Sequence, residues 1–433
     1  MNLTLKKETV QSASKQLELT LYAALVAFLT YSSVYAYRKP FTVATFSGIE
    51  YWGIRYQTLL IISQGIGYML SKFYGIRFIS ELKRMGRWKT SAILVGTAWL
   101  SLFFFAILPP LFGLICLLVN GFALGFMWGI VFSYVEGRKT TDFIGSAMAV
   151  SFIFAGGFTR TVAKWLLIEW NVSEHWMPFF TGLIFALPLA LFIYLLERIP
   201  SPDAVDVEQR TERVSMSRED RKKVLGLFGA GIFMITVTYV FLTIIRDLRD
   251  NFMTNIWTDL GYANDYGIFM KTETISSGVI LVLVSLLVMV KRNIQAFRLI
   301  HLLIFAGFLL TGISSLLFRI GLMDGAWWMQ LVGLGLYMAY IPFNCIFFER
   351  LIAAFRINGN AGFLMYVADA FGYFGAMLVM LGKELFIIET NWSSFYSGAA
   401  IFCAIVGTLG TIVSLSYFNQ KYKRLKSPYY GQG

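Results

Sequence analysis

Residues 35–41, Tyr-Ala-Tyr-Arg-Lys-Pro-Phe, end the first long apolar segment of the chain, which begins near Leu17. Arg38 stands about 20 residues into that segment, and a helix rises about 1.5 Å per residue, so Arg38 is expected far along a membrane-spanning helix. An arginine in the middle of a bilayer costs about 2.5–3.5 kcal/mol. The sequence must therefore provide an interaction that offsets this cost.

The composition is that of a membrane protein. Of the 433 residues, 57% are hydrophobic and 14% are charged, and the mean hydropathy is +0.64. A soluble protein carries about 25% charged residues. The first apolar run is long and is not followed by a small-residue cleavage site, so we expect a retained helix and not a cleaved signal peptide.

Twelve apolar runs have the length of a membrane-spanning helix. They lie at residues 17–39, 57–78, 89–109, 111–135, 141–168, 177–197, 223–249, 266–290, 296–319, 326–350, 358–384 and 394–418. The expected organisation is a cytoplasmic tail (1–16), a six-helix bundle (17–197), a cytoplasmic linker (198–222), a second six-helix bundle (223–418) and a basic cytoplasmic tail (419–433). The fold class is therefore an all-α membrane protein with twelve transmembrane helices in two halves.

The basic residues are distributed unevenly between the two sides of this topology. Most of the 37 lysines and arginines fall in the tails and loops on the side of the N-terminus. The opposite loops hold five, namely Lys39, Arg55, Arg249, Arg319 and Lys383. The positive-inside rule then places both termini in the cytoplasm. The net charge of +12 follows from topology, so we do not expect nucleic acid as a partner.

Six basic residues remain inside the predicted spans. They are Arg38, Lys72, Arg160, Lys164, Arg246 and Lys271. Six unpaired cations in mid-bilayer would cost about 15–20 kcal/mol, which exceeds a typical domain stability of about 5–15 kcal/mol. They must therefore reach the interface, pair with acids or line a water-filled cavity.

An internal repeat relates the two halves. Arg38 and Arg246, each in the first span of its half, are 208 residues apart, and Glu136 and Glu349, each ending a fourth span, are 213 residues apart. Two parallel six-helix halves with a central cytoplasmic loop describe the major facilitator architecture. Because the first helix of each half lines the central cavity there, we expect both guanidinium groups to bind one dianion bidentately.

Residues 35–41 resemble the aromatic-x-x-Arg-Lys-x-Phe ending of helix 1 in the organophosphate:phosphate antiporters, such as the glycerol-3-phosphate and hexose-phosphate transporters. Further similarities to this family are Ser71-Lys72-Phe73, Asn120-Gly121-Phe122 with Gly125, Trp128 and Gly129, Ile245-Arg246, Glu273, and the stretch from Gly359-Asn360-Ala361-Gly362-Phe363 to Phe371-Gly372-Tyr373. The resemblance covers nearly the whole chain. It implies exchange of a phosphorylated metabolite with inorganic phosphate.

The fifth span departs from this family. An apolar residue near Ile153 stands where glycerol-3-phosphate transporters have a histidine, and the same helix carries Arg160 and Lys164. The substrate therefore need not be one of the familiar organophosphates, and the chain resembles a divergent branch of the family.

The candidate site residues fall into two groups. The substrate-binding candidates are Arg38, Arg246, Lys72, Tyr35, Tyr31, Asn120 and Trp128. The candidates for gating or coupling are Glu273, Lys271, Asp369, Arg160 and Asp250. A structural role stays open for most of these residues. Arg38 could reach the membrane interface, Arg246 could pair with Asp250, and Glu273 could pair with Lys271 or Lys72. Arg160 and Lys164 could form a structural pair at the outer mouth, and Asn120 and Trp128 could serve in packing.

The sequence argues against an enzyme and against a cofactor or metal. The three cysteines lie in apolar runs, and the only two histidines, His175 and His301, are far apart in sequence. The expected partners are a small-molecule anion and the lipid bilayer of the cell membrane, with the chain acting as a monomer. Two other functions remain open: a proton-coupled symporter of a carboxylate or sugar, with Glu273 and Asp369 as proton carriers, and a transporter-like sensor of a sugar phosphate.

Overall fold

The computed structural model describes residues 2–81, 84–136, 138, 140–202, 218–355, 361–386 and 391–426. Most of the predicted linker 198–222, together with Gly359 and Asn360 of the helix 11 motif, lies outside these residues. The elements are α1 (Asn2–Val34), β1 (Glu50–Tyr51), β2 (Ile54–Arg55), α2 (Tyr56–Glu81), α3 (Arg84–Ile107), α4 (Pro110–Gly125), α5 (Met127–Ser133), α6 (Thr141–Glu169), α7 (Met177–Glu197), α8 (Arg218–Asp259), α9 (Ile268–Val288), α10 (Asn293–Arg319), α11 (Gly325–Pro342), α12 (Phe348–Phe355), α13 (Ala361–Leu385) and α14 (Trp392–Lys426).

The helices have the length and apolarity of membrane spans. Within the described residues, ten segments are long and apolar enough to cross a bilayer. The helices α2 and α13, of 26 and 25 residues, also have spanning length and complete the twelve. A bilayer requires this architecture because its hydrocarbon core offers no water to satisfy backbone polar groups. The chain is an all-α, multi-pass membrane protein.

The chain packs into two units. The first comprises Met1–Ala44 and Leu60–Thr211, and the second comprises Thr45–Leu59 and Glu212–Gly433. In the first unit α1 packs against α6 and α7, and α3 packs against α4. In the second unit α10 packs against α11 and α14, and α8 packs against α13 and α14.

The segment 45–59 belongs to the second unit, although in sequence it connects α1 to α2 of the first. It forms a hairpin whose two turn residues, Trp52 and Gly53, have φ values of 57° and 74°, as a type I′ turn requires. Arg55 Nη2 lies 2.5 Å from Glu384 Oε1, and the Glu384 side chain is 7% exposed. This ion pair anchors the hairpin to α13.

The predicted first span, residues 17–39, is close to the observed apolar span Lys15–Tyr37, although its last residues are not α-helical. The helix α1 begins at Asn2, so most of the predicted tail is helical, and it ends at Val34. Two short 3-10 turns follow, Tyr35–Tyr37 and Pro40–Val43. Pro40 has no N–H with which to continue the helical hydrogen bonds. Arg38 therefore stands between two turns and not inside a helix.

Three other predicted spans also differ from regular helices. The fourth is interrupted between α4 and α5 at Phe126. The tenth contains a π-helical turn, Phe343–Phe347, immediately after Pro342, and such turns occur frequently at functional sites. The seventh continues past its predicted end at residue 249 to Asp259, with a kink at Phe252. Arg249, predicted in an outer loop, is therefore inside α8, and that prediction is wrong.

The helices α2 and α4 cross in direct contact. A Cβ atom added at Gly67 would lie 2.0 Å from the carbonyl oxygen of Leu118, and one added at Gly121 would lie 2.1 Å from that of Gln64. Small residues of this kind let membrane helices approach closely. The crossing brings side chains of both helices to the turns that follow α1.

Candidate functional site

The first unit places two cations on one tyrosine ring. The guanidinium carbon of Arg38 lies 3.8 Å from the ring centroid of Tyr68, and Lys72 Nζ lies 4.9 Å from the same centroid. Both distances are those of cation–π contacts. Two positive charges near one ring raise the local positive potential, which favours an anion. The predicted residues Arg38 and Lys72 therefore form one basic site.

Tyr68, 5% exposed, was not among the predicted site residues. It lies four positions before Lys72 in α2. Residues separated by four positions share a helical face. This spacing is the signal by which the sequence could have identified it.

Two buried amide side chains hold the backbone at Arg38. Gln64 Nε2 donates to the Arg38 carbonyl oxygen at 2.8 Å and to Asn120 Oδ1 at 2.8 Å. Asn120 Nδ2 donates to the carbonyl oxygens of Tyr37 at 3.0 Å and Ala98 at 3.1 Å. The break after α1 leaves the carbonyls of Tyr37 and Arg38 without helical partners, and the two amides satisfy them.

Asn120, a predicted substrate-binding residue, is 0% exposed. Its described hydrogen bonds are all to other parts of the protein, as expected if Asn120 has the packing role that was the alternative to substrate binding. The contact of Gln64 with Arg38 was not predicted from the sequence.

An aromatic cluster backs the same turn. Tyr31 lies 5.0 Å from Trp128 and 5.6 Å from Tyr35 between ring centroids, and Trp128 lies 4.9 Å from Phe152. Tyr31 and Tyr35 are 3% and 7% exposed. The structure thus brings three predicted residues together and adds Phe152, which the sequence reasoning missed. Tyr35 also lies 5.8 Å from the guanidinium carbon of Arg38.

Arg160, predicted for gating or coupling, supports the second 3-10 turn. It is 1% exposed. Its Nε donates to Thr42 Oγ1 at 3.2 Å, and its Nη1 donates to the Gly156 carbonyl oxygen at 3.0 Å. These contacts link α6 to the second 3-10 turn and are those of a structural residue.

The second unit encloses Arg246 between tyrosine rings and a carboxylate. Its guanidinium carbon lies 4.3 Å from the ring centroid of Tyr340 and 5.4 Å from that of Tyr373. Its Nη1 donates to the Tyr340 hydroxyl at 2.5 Å, and its Nη2 lies 2.5 Å from Asp247 Oδ1. Within the residues that the structure describes, Arg246 Nε makes no hydrogen bond. The ion-pair partner is Asp247 and not the predicted Asp250.

A chain of hydroxyl groups connects Arg246 to Asp369. The Tyr239 hydroxyl donates to Asp369 Oδ1 and lies 3.4 Å from the Tyr340 hydroxyl, which accepts from Arg246. The predicted coupling residue Asp369 and the predicted binding residue Arg246 therefore belong to one hydrogen-bonded network.

Glu273 pairs with a residue that the sequence reasoning placed elsewhere. Arg249 Nη1 lies 2.6 Å from Glu273 Oε1, and both side chains are 1% exposed. Arg249 also donates to the Met329 carbonyl oxygen at 3.3 Å. A Cβ atom at Gly333 would lie 2.5 Å from Arg249 Nη2, so the glycine provides the space for the guanidinium group.

The predicted pairing of Glu273 with Lys271 is wrong. Lys271 Nζ lies 3.6 Å from Asp265 Oδ2, and its side chain is 70% exposed. Residues two apart do not share a helical face. Lys72 contacts the Tyr68 ring in the first unit. No Gly or Pro stands between Arg246 and Asp259. This was the sequence signal that α8 continues through Arg249, which allows Arg249 to reach Glu273.

Among the described residues, no group of three or more His, Cys, Asp or Glu side chains is placed to hold a metal ion. The described chemistry of the site consists of guanidinium, ammonium, carboxylate and phenol groups. Guanidinium and ammonium groups bind oxyanions, and carboxylates can bind and release protons.

The comparisons with known proteins identify a family and a fold. A model described as "Family of unknown function (DUF5690)" matches residues 40–421. No curated protein matches the chain.

Several solved structures are similar over almost the whole chain. The nucleoside transporter NupG has a TM-score of 0.61 at 15% identity, with 92% of this chain and 99% of that chain covered. The D-xylose-proton symporter has a TM-score of 0.62 at 14% identity, covering 92% and 97%. The human organic anion transporter MFSD10 has a TM-score of 0.52 at 13% identity, covering 92% and 98%. At these identities the likeness shows the fold, which is that of the major facilitator superfamily.

Proposed function

The chain belongs to the family of unknown function DUF5690, and we propose that it is a secondary active transporter that carries an anionic, phosphorylated metabolite. It works by alternating access in the cell membrane and exchanges the metabolite for inorganic phosphate. Each unit supplies proposed anion ligands, namely Arg38 and Lys72 in the first unit and Arg246 in the second. No nucleic acid, cofactor or further subunit is part of this proposal.

The observation that carries the proposal is the paired placement of Arg38 and Lys72 on Tyr68. A guanidinium group presents a planar fork of donors that matches two oxygens of a phosphate. The turn that carries Arg38 is held by Gln64 through the backbone and not through the guanidinium group. The site is thus preorganised, which reduces the free energy lost on ordering when an anion binds.

Arg246 supports the same chemistry in the second unit. Its guanidinium group faces two tyrosine rings, and its Nε makes no hydrogen bond among the described residues. Asp247 occupies Nη2, so an incoming phosphate competes with an internal carboxylate. Such competition lets the anion bind and also leave, as transport requires.

The positive charges of the proposed anion ligands favour exchange of one anion for another over transport in one direction. An empty carrier lacks the negative charge that its substrate brings to these cations, and we expect it to change conformation slowly. A bound anion neutralises the cations and permits the conformational change in either direction. We therefore expect uptake from one side of the membrane to require an exchangeable anion on the other side.

Counterflow in proteoliposomes tests the proposal. Vesicles loaded with phosphate should take up labelled phosphate, and added sugar phosphates should compete with it. Arg38→Lys and Arg246→Lys should each lower uptake at least tenfold, because lysine lacks the guanidinium fork. Arg198→Lys is the matched control, since Arg198 also lies over a tyrosine ring, at 4.7 Å from Tyr194, but is exposed.

Unchanged counterflow in both lysine variants would contradict the proposal. Tight phosphate binding by the wild-type protein without any flux would contradict transport and favour the sensor function.

The Arg249–Glu273 pair favours one other function, a proton-coupled symporter of a carboxylate or sugar. Glu273 is 1% exposed, and a buried carboxylate beside an arginine can alternate between ionised and protonated states when the arginine moves. This function predicts substrate-dependent alkalinisation outside the vesicles without any internal anion. Phosphate exchange predicts no such alkalinisation.

A further inference from the structure

A second basic site lies in the second unit, away from the residues discussed above. It is a cavity of about 540 Å³, lined by Arg292, Asn293, Arg298, Ala353 and Tyr422 among others. Ligand cavities commonly measure about 300–1,000 Å³. None of the residues assigned to transport above lines it.

Hydrogen bonds orient the arginines around this cavity. Arg298 Nε donates to Asn419 Oδ1 at 2.8 Å, and its guanidinium carbon lies 6.0 Å from the ring centroid of Tyr422. Arg350 Nη1 donates to Asn293 Oδ1 at 2.7 Å. These partners are neutral, so they fix the geometry of the guanidinium groups without neutralising them.

No carboxylate neutralises the arginines within the part of the chain that the structure describes. Arg292, Arg298 and Arg350 form no ion pair there, and Glu349 does not line the cavity. The two guanidinium groups that line the cavity, Arg292 and Arg298, attract an oxyanion, and Arg350 adds a third positive charge next to Asn293.

The cavity lies at the ends of three membrane spans. Three membrane spans have ends here: one begins at Asn293, one ends at Phe355 and one ends at Arg424. The distribution of lysine and arginine predicts that these ends face the cytoplasm. Basic pockets between helices on that side of a membrane bind phosphate-bearing headgroups.

We propose that this cavity binds a phosphate group carried by an anionic phospholipid or by a soluble phosphate compound. Arg292 and Arg298 contact the phosphate oxygens, and Asn293, held by Arg350, offers its amide nitrogen as a further donor. The small side chain of Ala353 leaves room for the body that carries the phosphate. The proposal does not depend on the transport function.

Purified full-length protein in phosphatidylcholine nanodiscs provides the test. The probes are phosphatidylglycerol, added as an increasing fraction of the lipid, and inorganic phosphate or glycerol 3-phosphate in the buffer. The readouts are the midpoint of thermal unfolding and the lipid retained in native mass spectrometry. The variants are R292Q, R292Q/R298Q and, as a matched control, K291Q, which removes the same charge one position outside the lining.

We expect phosphatidylglycerol to stabilise the wild-type protein and K291Q, and R292Q/R298Q to need at least tenfold more of it for the same shift. R292Q alone should lower the response in the same direction; Arg292 is exposed, so this variant should still fold. If only the soluble phosphates stabilise the protein, and R292Q/R298Q abolishes that effect, the ligand is a soluble phosphate. The proposal fails if neither probe acts, or if R292Q/R298Q responds like the wild-type protein. It also fails if the response to soluble phosphate is lost only in Arg38 or Arg246 variants.

Discussion

Arg249 and Glu273 form an ion pair with 2.6 Å between Nη1 and Oε1, and each side chain is only 1% exposed. The pair connects α8 to α9 inside the second unit. A buried charge without a partner costs several kcal/mol, so each residue depends on the other. The same pair is also the strongest argument for proton coupling, and one experiment addresses both roles.

Glu273→Gln should lower the free energy of unfolding by about 3–5 kcal/mol, because it leaves the Arg249 charge buried and uncompensated. Denaturant titration in detergent measures the change. The double substitution Arg249→Met with Glu273→Met should recover most of the loss, since two apolar side chains leave no unpaired charge. A Glu273→Gln protein as stable as the wild type would contradict the ion pair and would indicate that Glu273 is protonated at the assay pH.

Asn120→Leu should destabilise the first unit and weaken phosphate binding. The change leaves the buried carbonyl oxygen of Tyr37 without its amide donor, at a cost of about 1–3 kcal/mol, whereas the Ala98 carbonyl oxygen still accepts from the Ser101 hydroxyl. It also removes the acceptor of Gln64, which holds Arg38. Thermal unfolding and phosphate titration measure the two effects. Loss of stability with unchanged phosphate affinity would show that Asn120 does not position Arg38.

Asp247→Asn should strengthen phosphate binding. Asp247 Oδ1 lies 2.5 Å from Arg246 Nη2 and competes with the ligand for that nitrogen. Removing its charge should raise the affinity by about tenfold, equivalent to 1.4 kcal/mol. Equilibrium binding of labelled phosphate measures the affinity, and Asp265→Asn, which alters a surface pair with Lys271, is the control. Weaker binding in Asp247→Asn would contradict a role for Arg246 as an anion ligand.

His175 should make the first unit sensitive to acid. It lies between two membrane spans and stacks on Phe105 at 5.6 Å between centroids. Burial lowers its pKa below the ordinary value of 6.5, while Glu174 raises it in part. Because the unfolded chain binds the proton more readily, stability is complete above about pH 6.5 and falls as the pH decreases below it.

The midpoint of thermal unfolding between pH 7.5 and pH 5 measures this effect. His175→Phe keeps an aromatic ring against Phe105 and cannot be protonated, so it should lose less stability on acidification than the wild-type protein does. Identical pH profiles for the two proteins would contradict the assignment.

The sequence predicted the number of spans because a bilayer leaves a chain few alternatives to apolar helices. It predicted the helix ends less well. The run from Leu17 to Lys39 reads as one helix by hydropathy, yet Pro40 and the amides of Gln64 and Asn120 turn its last residues into 3-10 geometry. Those amides come from α2 and α4, and no local pattern in residues 17–39 indicates them.

The candidate site was likewise only partly predictable from the sequence. The structure brings Arg38 and Lys72 together on Tyr68, while their role as anion ligands stays a prediction. Arg249 was assigned to a loop because charged residues at a span end normally mark the membrane surface. Only the tertiary pairing with Glu273 explains why such a charge lies inside α8.

Equilibrium binding of labelled phosphate to the purified protein and to its Arg38→Lys and Arg246→Lys variants tests directly whether these arginines are anion ligands. If they are, the wild-type protein should bind phosphate outside the Arg292 cavity. The measurement is made in protein that carries R292Q/R298Q, so that phosphate bound in the Arg292 cavity is not counted. Each lysine variant should then bind this phosphate at least tenfold more weakly. Full affinity and full stoichiometry in either variant would contradict the account.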